Sequence, residues 1–366
     1  MKTVNRILLA TILSAIPCAA MARPHIDIAV LLDTSGSMSG LIQQAKTQLW
    51  AIVNDMARTK KRGQTPRLRV ALYEYGKSSL PAREHYLRQC VPLTTDLDRV
   101  SEALFELTTN GGEEYCGAAI QAALHLDWTS EPGSYKAIFI AGNEPFSQGP
   151  VGFREVCRDT IARGIVVNTI FCGPEDEGIR GLWREGAELA DGQFMTMDHQ
   201  RAAVAVHAPQ DEQILALGKK LNETYLGYGP GGEQAKKRTE RLDQMASAAA
   251  PEAIAERVIA KSSKMYDTSS WDLVDAVGAG KADVAEMEEE SLPEPMRELT
   301  VEERKAYVDA RAKERQAITT ELSRLKDERA QYLAEQSQGQ DTLQSAVTGA
   351  VRQQMRKLQF EVPKDR

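Results

Sequence analysis

The chain has 366 residues, with 45 basic against 52 acidic side chains and a net charge of −7. That length predicts two domains rather than one. With 42% hydrophobic residues and no basic block, the composition excludes a disordered or collagen-like chain and argues against nucleic acid as a partner. At the N-terminus, Lys2 and Arg6 precede a short apolar run, Ile7 to Ile16, and Ala20-Met21-Ala22 offers a small-x-small cleavage site. The run is too short to span a bilayer and none of adequate length follows. Residues 1–22 therefore read as a signal peptide, and the mature chain, cut near Ala22, as periplasmic or secreted. Cys18 fits a lipid-anchoring motif poorly, because Pro17 precedes it. Removing Lys2 and Arg6 leaves 43 basic against 52 acidic residues, a net charge of −9. Cys90, Cys116, Cys157 and Cys172 remain, and an even count in an oxidising compartment predicts at least one disulfide. Cys157 and Cys172, on a neighbouring helix and strand pattern, are the favoured pair.

Ile26 to Leu32 is an almost continuous apolar run broken by Asp27, and Leu41 to Met56 is helical. Further β-rich runs lie at Leu68 to Tyr75, Glu84 to Pro92, Tyr135 to Ala141, Ile165 to Phe171 and Gln193 to Met197. Helical patterns fall between them, at Leu97 to Leu107, Gly117 to Leu126, Phe153 to Arg163 and Ile179 to Ala190. Nearly unbroken apolar strands alternating with helices predict an α/β fold, a doubly wound, mostly parallel sheet with helices on both faces. Ligands in such sheets bind outside the carboxyl ends of the strands.

Asp33-Thr34-Ser35-Gly36-Ser37 stands at such an end. A carboxylate and two hydroxyls at i, i+2 and i+4 on a strand-to-helix turn fan three oxygens around one point, and Gly36 relieves the crowding. Oxygen donors, one of them anionic, suit a hard cation. The competing reading is an Asx/Ser turn that caps a helix.

This D-x-S-x-S stretch resembles the metal-ion-dependent adhesion site of von Willebrand factor type A domains, and the likeness extends over about residues 25 to 200. The resemblance implies two more ligand loops. In Thr109 to Ala119 the family often carries a Thr shortly after a Gly pair; here the place falls to Glu113 or Glu114, of which Glu114 fits the spacing to Gly117 better. After the Tyr135 to Ala141 run the family usually has an Asp; this chain reads Gly142-Asn143-Glu144-Pro145, and Asn143 matches best, with Glu144 second. The resemblance thus gives Asp33, Ser35, Ser37, Glu114 and Asn143 as holders of Mg²⁺, or of Mn²⁺ or Ca²⁺. A carboxylate for Thr adds charge and Asn for Asp removes it. Glu113 and Glu114 also read as an ordinary acidic helix start.

From residue 206 the pattern turns helical: 212–226, 233–265 and, from the capping box Thr300-Val301-Glu302-Glu303, a long helix to Gln336. Its stripe of Val308, Arg311, Arg315, Ile318, Leu322, Leu325, Arg329 and Tyr332 predicts a short coiled coil or helix hairpin over 300–336, onto which a helix at Thr342 to Leu358 folds back. The organisation expected is a signal peptide at 1–22, an A-type domain at 23–205 and an α-helical domain at 206–366. Gly227 to Gly232 matches G-x-G-x-x-G without the preceding strand, so it reads as a loop. The scattered histidines offer no nucleophile–base pair, and the tryptophans read as packing residues.

The reading that follows is a non-enzymatic, exported, metal-dependent protein-binding module for adhesion or complex assembly, whose partner presents an Asp or Glu carboxylate. An envelope assembly protein with a vestigial site and a metal-assisted hydrolase are the competing readings. Fold does not imply function, so the resemblance does not fix the partner.

Overall fold

The computed structural model describes residues 23–197, 207–336 and 343–362. The leader at 1–22 and the expected boundary at 205–206 lie outside the described residues. The first part is built from β1 (His25–Asp33), α1 (Ser39–Ala57), β2 (Arg67–Tyr75), β3 (Leu87–Thr94), α2 (Leu97–Glu106), α3 (Cys116–Ala123), β4 (Tyr135–Gly142), α4 (Phe153–Ala162), β5 (Val166–Phe171), α5 (Glu175–Arg180), α6 (Trp183–Glu188) and β6 (Phe194–Thr196). The sheet order is β3-β2-β1-β4-β5-β6, parallel throughout except for the antiparallel edge strand β3. β1 lies between β2 and β4 and is buried on both faces, which is why its sequence is apolar with little alternation. Ile26, Ile28 and Leu32 face one core with α1, while Ala29 and Leu31 face the other with α3 and α4. Asp27, the break in that run, is fully buried and held by Arg69 of β2 through a two-point ion pair, at 2.8 and 2.5 Å. Such a forked contact offsets part of the desolvation of the carboxylate.

The helical part comprises α7 (Asp211–Glu223), α8 (Gly232–Ala249), α9 (Pro251–Lys261), α10 (Leu273–Gly278) and α11 (Val301–Gln336), followed by α12 (Leu343–Lys357). The continuous helix expected over 233–265 is broken at Ala250, which is extended, and Pro251 opens the next helix. Likewise the helix expected over Ile179 to Ala190 is two short ones, separated where Leu182 takes a left-handed conformation. As expected, the glycine-rich stretch is a loop, over Gly227 to Gly231, with Gly232 opening α8, and Trp50 and Trp183 are fully buried packing residues.

Two expectations are corrected. The stripe of α11 is covered not by one antiparallel or coiled partner helix but by several: Val308, Ile318, Leu322 and Leu325 are buried against α7, α9 and α10. The basic members of that stripe are buried in ion pairs, Arg315 with Asp272 at 2.5 Å and Arg329 with Asp211 at 2.6 Å. The coiled-coil reading failed because apolar spacing shows that a face is covered, not by what. Secondly, α12 does not fold back onto α11. It lies on the sheet, where Leu343, Val347, Val351 and Met355 share one core with β1, β2, β4 and α1. The helices of 207–336 are therefore inserted between β6 and the helix that completes the sheet's covering layer.

The expected disulfide is also corrected: Cys90, Cys116, Cys157 and Cys172 are free thiols. Cys157 and Cys172 lie in cores on opposite faces of the sheet, so the favoured pair is separated by the sheet itself. Burial pushes all four thiols above their ordinary range, to about 11 for Cys90 and about 12 for Cys157, which suppresses the reactive thiolate. Denatured, unreduced protein lacking residues 1–22 should titrate with four thiols per chain, and Cys116, Cys157 and Cys172 should be silent to a thiol reagent until unfolding. Fast labelling of these three in the native protein would contradict the burial.

Candidate metal centre

The sheet reverses its winding between β1 and β4: α1 covers one face and α3 the other, and the loops after the two strands leave in opposite directions. That is the crevice where open α/β sheets bind ligands. Three strand ends meet there. β1 delivers Asp33, β2 delivers Gly76, and β4 delivers Gly142 and Asn143. Asp33 is fully buried; its Oδ1 accepts the Ser35 backbone N–H at 2.7 Å. Its Oδ2 is buried with no hydrogen-bond partner. Ser35 and Ser37 hydroxyls lie 3.3 Å apart, and the Asn143 amide nitrogen donates to Ser37 Oγ at 3.2 Å.

Glu114 is buried, while Glu113 beside it is exposed. The structure thus turns Glu114 inward, where its side chain packs beside Gly76 and Asp33. Its backbone N–H donates to Gln148 Oε1 at 2.9 Å, which pins the loop. Gly76 has φ +81° and packs so closely that a Cβ there would fall 2.8 Å from both Asp33 Oδ1 and Glu114 Cγ. Only glycine serves at this position, for conformation and for space. Of the alternatives at the third loop, Asn143 reaches Ser37, whereas the Glu144 side chain is exposed and its carbonyl accepts the Trp183 indole N–H at 2.8 Å. Sequence reasoning missed Glu74. It is buried beneath the turn, ion-paired with Arg88 at 2.5 Å, and accepts the Thr34 hydroxyl at 3.3 Å. Its signal was an acid, the one in that strand run, two positions before the Gly76 turn.

The electrostatics are those of an anionic hole. Burial pushes the Asp33 carboxyl up to about 7, against hydrogen bonds from Ser35 and with help from Glu144. Burial and then the charge of Asp33 push Glu114 up to about 7 as well. Among the described residues neither carboxylate has a cationic partner. A buried carboxylate oxygen without a partner, a second carboxylate beside it and a ring of hydroxyl and amide oxygens fit a hard divalent cation. Among the described residues no three His, Cys, Asp or Glu side chains converge, so the donors are two carboxylates supplemented by neutral oxygens.

The same shifts predict a pH dependence. Folded Asp33 and Glu114 keep their protons to about 7, whereas their ordinary values are 3.8 and 4.5. Between those limits the folded state binds more protons than the unfolded one, so metal-free stability falls as pH rises through this window. Melting curves in chelator from pH 5 to pH 8 should show the decline, and Asp33→Asn should flatten it. A rise over the same interval would contradict the geometry.

Residues 27–178 match the family model of the von Willebrand factor type A domain, and this part of the chain is such a domain. No curated protein sequence matches the chain. Similar solved structures include an aerotolerance-related membrane protein from Bacteroides fragilis, 16% identical over 47% of this chain and 92% of that one, with a TM-score of 0.33. BatB from Bacteroides thetaiotaomicron is 15% identical, covering 60% of this chain and 99% of that one, at a TM-score of 0.36. Proximal thread matrix protein 1 from the mussel byssus, solved with a zinc-occupied MIDAS motif, is 13% identical over 49% and 43% of the two chains, at 0.35.

Proposed function

We propose that the chain is a non-enzymatic, exported protein-binding module that holds a divalent cation, Mg²⁺ or Mn²⁺, at the carboxyl edge of its sheet. The observation that supports this reading best is the orphaned, buried Asp33 Oδ2 beside a second buried carboxylate. Asp33, Ser35, Ser37, Glu114 and Asn143 are the residues that would hold the ion. When bound, the ion supplies a hard Lewis-acidic position suited to a carboxylate oxygen. The protein's own part is positional. Ser35 fixes Asp33, Asn143 orients the Ser37 hydroxyl, and Gly76 lets the two acids approach. The partner group is an Asp or Glu side chain of another protein. The mature chain is itself net acidic, so a carboxylate is repelled elsewhere on its surface and favoured only at the ion. Among the described residues no helix is long and apolar enough to cross a membrane. Export rests on the leader sequence.

Binding of immobilised Asp-containing peptides tests the reading. The Asp peptide should bind in Mg²⁺ and be released by chelator. Its Asn counterpart should not bind, and Asp33→Ala should abolish binding while leaving the fold intact. Binding indifferent to chelator and to Asp33→Ala would sink the proposal.

A further inference from the structure

β1 runs from the amino edge of the sheet, at His25, to the metal edge, at Asp33. The two edges differ in charge. At the amino edge His25 stands beside Arg67 of β2, and the segment between α1 and β2 pairs the Lys60 backbone with Glu361, which follows α12. Arg23 donates to the carbonyls of Thr65 and Pro66, at 2.9 and 3.4 Å. On the far side of β1, Lys136 at the start of β4 donates to the Arg163 carbonyl at 2.7 Å, and Arg163 in turn to the Leu124 carbonyl at 3.0 Å. Lys61 donates to the Gly133 carbonyl and lies 4.4 Å over the Phe360 ring, so the loops after α1, before β4 and after α12 meet here. Bonds to neutral carbonyls leave the charge of a cation uncompensated. Among the described residues none of Arg23, Lys60, Arg67, Lys136, Arg163 and Lys357 forms an ion pair. The acids near them are mostly engaged: Asp27 with Arg69, Asp55 with Arg352 and Asp267 with Lys281. Asp127, Glu131 and Glu361 remain, and the basic side chains outnumber them.

These cations come from separate stretches of the chain, so no basic block marks them in the sequence, and their edge is the exception to the chain's net acidity. It also carries an apolar tip. Leu358, beside Lys357, is 37% exposed, and among the described residues only Ile179 is another large apolar side chain exposed to this degree. Gln359 then takes a left-handed φ of 62°, and the Phe360 N–H returns to the Met355 carbonyl at 3.0 Å, which ends α12 and leaves Leu358 at the turn. Beyond Val362 the sequence adds Lys364 and Arg366 against Asp365. Phosphates of an anionic bilayer suit such charges, and its interface suits the leucine, whereas a soluble polyanion would use the charges alone. We propose that the amino edge of the sheet docks on a bilayer of anionic phospholipid, with Lys60, Arg67, Lys136 and Lys357 against headgroup phosphates and Leu358 at the acyl boundary. Docking this way turns the opposite edge outward: β1 has nine residues, so Asp33 stands roughly 26 Å from the basic edge. The docking is independent of whether Asp33 holds a cation.

Vesicle flotation of the protein lacking residues 1–22 tests it, in chelator throughout so that the metal edge plays no part. Vesicles of equal parts phosphatidylglycerol and phosphatidylcholine should carry the protein, vesicles of phosphatidylcholine alone should not, and raised salt should release it. A basic side chain near such a surface is worth about fivefold in partitioning. Lys60→Glu and Lys357→Glu should therefore each lower it by about fivefold or more, whereas Arg83→Glu, at the metal edge, should leave it unchanged. Leu358→Ser should weaken flotation severalfold without changing retention on a heparin column. All four positions are exposed, so the variants should melt within a few degrees of the wild type. Equal binding to neutral and anionic vesicles, or flotation unchanged when Lys60→Glu and Lys357→Glu are combined, would overturn the proposal. Retention on heparin without any flotation would overturn it too, and would assign the basic edge to a soluble polyanion.

Discussion

A chain ended at residue 336 should fail to form the sheet domain, although the residues matching the A-domain model all remain. The reason is α12. Leu343, Val347, Val351, Met355 and Phe360 are each 7% exposed or less and sit in the core beneath β1, β2 and β4. At about 1.5–3 kcal/mol for each buried side chain, their removal costs on the order of 10 kcal/mol, comparable with the whole stability of a typical domain. The loss is also polar. Gln354 accepts the Tyr135 hydroxyl at 2.6 Å and exchanges hydrogen bonds with Asn168 of β5, all three being buried. Without the helix, the Tyr135 phenol and the Asn168 amide nitrogen lose their partner, while Asn168 Oδ1 keeps only the Gln193 N–H. Circular dichroism and tryptophan fluorescence of the truncated protein should show no cooperative transition. A melting temperature within a few degrees of the full chain would contradict the assignment of α12 to the sheet.

Removing the Arg257 guanidinium should come next in effect. Arg257 of α9 is fully buried, pairs with Asp98 of α2 at 2.7 Å and with Asp243 of α8 at 2.6 Å, and stacks over Trp50 at 4.7 Å. Asp98 also accepts the hydroxyls of Thr239 and Tyr266. Burial alone would raise the Asp98 carboxyl. The charge and hydrogen bond of Arg257, with those hydroxyls, overcome this and hold it at about 2. Arg257→Met leaves the buried Asp98 without a countercharge and Asp243 with Lys261 alone, an effect of about 3–5 kcal/mol. Thermal unfolding should therefore shift by many degrees, while exposed pairs such as Arg180 with Asp176 should barely register when removed. Because folded Asp98 titrates below its ordinary value, its contribution is present above pH 4 and is lost as pH falls toward 2. A small shift for Arg257→Met would show that the helical insertion is not locked to the sheet through this cluster.

What was legible in the sequence was local or periodic. The β1 run announced a strand buried on both faces, and Asp33, Ser35 and Ser37 could be grouped because one turn holds all three. The places of Glu114 and Asn143 came from the family resemblance, since they lie on loops that only the sheet brings together. Glu113 and Glu114 looked alike on paper; the bond from the Glu114 N–H to Gln148 and the packing on Gly76 separate them. The partner of α12 was not legible, because an amphipathic pattern states that a face is buried without naming its cover. Nor was Arg257, whose countercharge Asp98 stands 159 positions away. The cysteine count misled for a related reason: counting cannot place Cys157 and Cys172 on opposite faces of a sheet.

The cation site proposed at Asp33 and its neighbours is open to one decisive measurement. Thermal unfolding of the full chain, with and without Mg²⁺, compared between wild type and Asp33→Ala, tests it most directly. A ligand of the folded state at about 100 times its Kd adds about 2.7 kcal/mol. Wild type should therefore melt a few degrees higher in Mg²⁺ and return to its starting value in chelator, whereas Asp33→Ala should melt at one temperature in both. An equal response to Mg²⁺ in wild type and Asp33→Ala, or none in either, would contradict it.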